Sequence, residues 1–85
     1  MPTIKIIDAI KISINSGDHE PPHVHVDHAE HSTRVEIDTL EIMPTSGKFP
    51  IKKLKIVLEW LSEGDNQANA KRIFYNLNPQ LRGDG

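Results

Sequence analysis

The chain reads as an α+β domain, an antiparallel meander of three to four strands followed by one long and one shorter helix on one sheet face. Two observations carry this. Between Ile4 and Met43 the apolar residues alternate with polar ones, and turn-forming residues interrupt them at short intervals. From Ile51 onward the apolar residues recur at three- and four-residue spacing instead. Strands followed by helices, rather than strands alternating with helices, point to helices gathered on one side of an antiparallel sheet.

Ile10, Ile12 and Ile14 alternate with Lys11, Ser13 and Asn15, the pattern of a half-buried strand. Ile4, Ile6 and Ile7 form a shorter strand before it, with Asp8-Ala9 as a bend. Gly17-Asp18 opens a loop that Pro21-Pro22 prolongs. The next strand runs from His23 to about Asp27, with Val24 and Val26 inward and His23, His25 and Asp27 outward. His28-Ala29-Glu30-His31 is a turn. A strand from Ser32 to Asp38 follows, with Val35 and Ile37 inward, and a further one spans Leu40 to Met43. Pro44-Thr45-Ser46-Gly47 ends the sheet pattern.

Pro50 suits a first helical turn, and Ile51, Leu54, Val57, Leu58 and Leu61 form the stripe of the first helix. Ile56 and Trp60 widen that stripe sideways. Gly64 closes the helix and Asp65 is placed to cap the second, whose stripe is Ala70, Ile73, Phe74 and Leu77. Pro79 stops it. Residues 1–79 make one domain and residues 80–85 a frayed tail.

Composition narrows the class. With 36% hydrophobic and 26% charged residues, the 85-residue chain suits a globular domain and not a disordered one. It has no cysteine, which excludes a disulfide framework and a thiolate metal site. The start of the chain lacks the apolar core of a signal peptide, and no apolar run reaches membrane-spanning length. These features predict a cytoplasmic protein with no membrane partner. A net charge of −2 gives no global pull toward nucleic acid, so such binding needs a local patch.

The stretch richest in chemistry is Asp18-His19-Glu20-Pro21-Pro22-His23-Val24-His25-Val26. His23 and His25 are two apart on a strand, so both imidazoles leave one face of the sheet. The two prolines stiffen the approach to them. Helices packed on the other face leave this one open to solvent or to a partner. A solvent-facing pair predicts little loss of stability on alanine substitution.

Four chemistries compete for these residues. His23 and His25, with His19 or Asp18 in the loop as third ligand, form a candidate site for zinc or a neighbouring divalent ion. The same histidines beside carboxylates suit acid–base catalysis, as in a metal-independent ribonuclease with Lys11 or Arg34 steadying a phosphate. Lys52, Lys53 and Lys55 offer a phosphate-binding stripe, against which stands the plain reading of a solvated helix face. Ile56 and Trp60 offer an apolar patch for a partner or for self-association, against which stands a Trp60 buried in the core. Partner binding is the leading reading, because Phe49, Ile56, Trp60 and the second helix carry more apolar surface than one small sheet can cover.

Several stretches together resemble the bacterial family known as domain of unknown function 4160. They are the opening Met-Pro-Thr-Ile, the Asp18–Val26 stretch, and the helical segment Leu54-Lys55-Ile56-Val57-Leu58-Glu59-Trp60-Leu61. Phe is more usual in that family where Val24 stands here. The resemblance covers about residues 1–63, and beyond Gly64 the chain departs from the family's usual ending. It implies a small cytoplasmic bacterial protein encoded beside another small protein in a toxin–antitoxin-like pair. No catalytic residues come with it. The positions it marks as functional are His19, Pro21, Pro22, His23 and His25.

Overall fold

The structure is a computed structural model that describes residues 3–16, 21–43 and 49–81. Five strands form one antiparallel sheet in chain order: β1 (Thr3–Ile7), β2 (Ile10–Ser13), β3 (His23–His28), β4 (His31–Glu36) and β5 (Ile42–Met43). Two helices follow, α1 (Ile51–Ser62) and α2 (Asn66–Leu77), and a 3₁₀ turn at Pro79–Leu81. The meander followed by helices is the predicted α+β class, with one strand more than the longer of the two expected counts.

β1 is the short strand expected at Ile4, Ile6 and Ile7, and a tight turn at the expected bend joins it to β2. Ile7 pairs with Ile10, so Asp8 and Ala9 are the whole of a two-residue hairpin turn. Both have positive φ, 51° and 63°, as a type I′ turn requires. The β3–β4 turn is equally short, with His28 paired to His31 and Ala29 at φ 55°. Leu40, at φ 61°, reverses the chain into β5.

Register sorts the side chains. Ile12 lies across from Val26, Val24 from Val35 and Val26 from Thr33, and these share the core face. Lys11 lies across from Asp27, Ser13 from His25, and His25 from Arg34, and these share the other. The core joins Ile10, Ile12, Ile14, Val24, Val26, Val35 and Ile37 to Leu54, Val57, Leu61, Ala70 and Phe74.

The helices cover different parts of the sheet. α1 is fastened near the two hairpin turns, where Lys53 Nζ meets Asp8 Oδ2 at 2.6 Å and Phe49 lies beside His28 and His31. α2 crosses the opposite end. Gln67 donates to the Ile37 carbonyl past β4, Phe74 meets His23 at the start of β3, and Asn78 donates to the Asn15 carbonyl past β2. Gly64, at φ 49°, makes the reversal between the helices. Asp65 holds the N-cap position of α2 but makes no side-chain capping bond there.

Two expectations are corrected. Ile51 does not begin the buried stripe of α1: it is 73% exposed, and the stripe starts at Leu54, one turn in from the helix end. Order also persists into the predicted tail, because Pro79–Leu81 forms a turn and Leu81 packs on the core. Residues 82–85 lie outside the described residues.

Candidate functional site

The end of the sheet crossed by α2 is where the signature stretch arrives. The loop from β2 to β3 delivers Pro21 and Pro22, and Pro22 is buried. Its carbonyl accepts the Ile37 N–H at 2.9 Å, which prolongs the β3–β4 ladder by a step. Proline brings no backbone donor into this packed corner, and its carbonyl is used.

His23 and His25 leave the same face, as the alternation predicts, with ring centroids 5.1 Å apart. The face is not open at His23, which is only 4% exposed. Its ring lies 5.7 Å from that of Phe74 on α2. Its Nδ1–H donates to the Pro21 carbonyl at 2.8 Å, which places the ring proton on Nδ1. The cover comes from α2, because that helix crosses the strand ends and not the middle of a face.

His25 is half-buried. The side-chain amide of Asn15 donates to its Nε2 at 3.1 Å, so that nitrogen carries the lone pair. Asn15 is a node. Its backbone carbonyl accepts from Asn78 Nδ2 at 3.0 Å, and the same Asn78 amide bonds the Phe74 carbonyl at 2.9 Å. Asn78 is fully buried. Two side-chain oxygens here, Ser13 Oγ and Asn15 Oδ1, are buried without a hydrogen-bond partner. A polar corner this closely packed fixes the strand ends to α2.

Asp27 accepts from the Ser32 hydroxyl and Glu36 from the Thr39 hydroxyl. Asn78 and Phe74 escaped the sequence reading as neighbours of the histidines. Each is more than fifty residues from His23, and no local pattern announces such a contact.

The proposed metal ligands are only partly brought together. His23 and His25 are adjacent, while His19 and Asp18 fall outside the described residues. Among the described residues no three His, Asp or Glu side chains stand together so as to hold an ion. The nitrogens His23 Nδ1 and His25 Nε2 are both engaged within the protein. Two imidazoles with no third ligand among the described residues do not by themselves make up a metal site.

The lysine stripe is divided. Lys52 and Lys55 are exposed, but Lys53 is committed to Asp8. That ion pair holds the Asp8 carboxyl below its usual value, through the hydrogen bond first and the Lys53 charge second. Trp60 and Ile56 are half-buried and packed against the core, each with part of its surface outside. Ile6, Ile42 and Ile51 stand out further, at 66%, 47% and 73% exposure. Among the described residues no helix is long and apolar enough to cross a membrane.

No curated protein and no solved structure matches the chain. A family model does, described as a domain of unknown function (DUF4160), over residues 9–71. The match begins just before β2 and runs past Gly64 into α2, further than the quoted motifs reach. It takes in the histidine strand, the other strands from β2 to β5 and most of the helical cover, and on that extent the chain belongs to the DUF4160 family.

Proposed function

We propose that the protein works by binding another protein, as one member of a bacterial two-gene, toxin–antitoxin-like module. The observation that carries this is the apolar surface left outside the core. Ile6, Ile42 and Ile51 are largely exposed, and Trp60 and Ile56 keep part of their surface outside. Large apolar side chains that the fold leaves uncovered are the usual material of interfaces, and Trp most of all. The histidine motif fits the same reading. Its rings and prolines fasten β3 to α2, which makes it a determinant of the corner's shape.

The test is co-expression with the product of the adjacent reading frame, followed by sedimentation of the purified material. A complex of defined stoichiometry that Trp60→Ala weakens supports the reading. Two separate species at micromolar concentration, with the protein also monomeric alone, would sink it.

A second reading keeps the histidines for chemistry, either a divalent-ion site or a small acid–base nuclease. The adjacency of His23 and His25 favours it. RNA cleavage by purified protein, lost in His25→Ala, would support it. Absence of cleavage together with no response to metal would remove it.

A further inference from the structure

At the end of the sheet away from α2, imidazoles close the core where aliphatic side chains would be expected. His28 lies directly across from His31, and both follow Val26 and Thr33 on the core face. The Phe49 ring stands 6.3 Å from each of them. All three residues are half-buried. His28 Nδ1–H donates to the Ala9 carbonyl at 3.2 Å, and Lys53 meets Asp8 in the same turn. Three connections are joined at this point: the β1–β2 turn, the β3–β4 turn and the chain entering α1.

We propose that His28, Phe49 and His31 form a proton-operated latch, which holds the start of α1 on the sheet at neutral pH and releases it in mild acid. Imidazole is the side chain that ordinarily changes charge between about pH 5 and 8. Among the described residues, the charged groups nearby are Asp8 in the β1–β2 turn, Glu30 in the β3–β4 turn and Lys53 on α1. A proton on His28 meets a ring bonded into the turn that carries Asp8. That imidazolium keeps its bond to Ala9 and lies favourably against an aromatic ring. A proton on His31 as well sets two like charges directly opposite each other in a cross-strand pair, which is destabilising. The core beyond the latch, from Leu54 to Phe74, stays packed, so the release is local.

The experiment follows the Phe49 ring protons, both imidazole Hε1 signals and amide exchange in the full chain from about pH 8 to about pH 5. The amides of Lys53 and Leu54 report directly, because both bond the Pro50 carbonyl at 3.1 Å. After correction for the intrinsic pH dependence, their exchange rises about tenfold or more once both imidazoles carry protons, and the Phe49 signals move toward solvent-exposed values. In His31→Phe the ring stays docked and the exchange stays flat. His31→Gln serves in its place if that variant does not fold. An unchanged Phe49 environment down to the acid limit, or the same opening in the His31 variant, overturns the proposal.

Discussion

His23 shows how burial changes what a residue can be asked to do. A solvent-facing imidazole would tolerate alanine, but this one touches Phe74 and bonds Pro21. His23→Ala is expected to cost about 2 kcal/mol in denaturant unfolding, from lost packing and an unpaired carbonyl. Ser13 behaves oppositely. Its hydroxyl is buried without a partner, so Ser13→Ala should be neutral or stabilise by about 1 kcal/mol in the same measurement. Zinc added to chelator-treated protein should leave Tm unchanged, because no third ligand stands beside His23 and His25 among the described residues. A rise in Tm that disappears in His25→Ala would restore the metal reading. Asp8 supplies a pH test. Its folded pKa is depressed by Lys53, so its contribution is present above the ordinary carboxylate range and is lost as pH falls through the folded value. In Lys53→Ala an NMR titration of Asp8 should shift upward toward that range.

Individual elements explain where the sequence could be read and where it could not. The alternation of Ile10, Ile12 and Ile14 and the helical spacing of Leu54, Val57 and Leu61 report burial directly, and those residues are buried. Asp8-Ala9 gives no such report. A type I′ turn favours Asn-Gly or Asp-Gly, and an alanine at φ 63° carries no signal in its identity. Replacing Ala9 with glycine should therefore stabilise the hairpin by about 1 kcal/mol, read as a higher Tm. Ile51 misled because an apolar residue at the first turn can satisfy the spacing while pointing past the edge of the core. The histidine strand was legible in its alternation and not in its cover, since that cover comes from Phe74, distant in the chain.

The whole molecule is a local meander closed by distant contacts. Its uncovered apolar surface belongs to this scale, and with it the expected effect of Trp60→Ala. Truncating a half-buried tryptophan should lower stability by about 1–2 kcal/mol while weakening partner association by about tenfold or more. Sedimentation and circular dichroism on one sample separate the two. The Asn78–Asn15 bond spans 63 positions along the chain, whereas each of the first three strand pairings is closed by a far shorter loop. Closing a long loop costs entropy that only the finished contact returns. Substituting Asn78 should then leave the refolding rate almost untouched and accelerate unfolding. Such a result would make docking of α2 the late step in assembly, with the corner holding the histidines taking shape after the hairpins are in place.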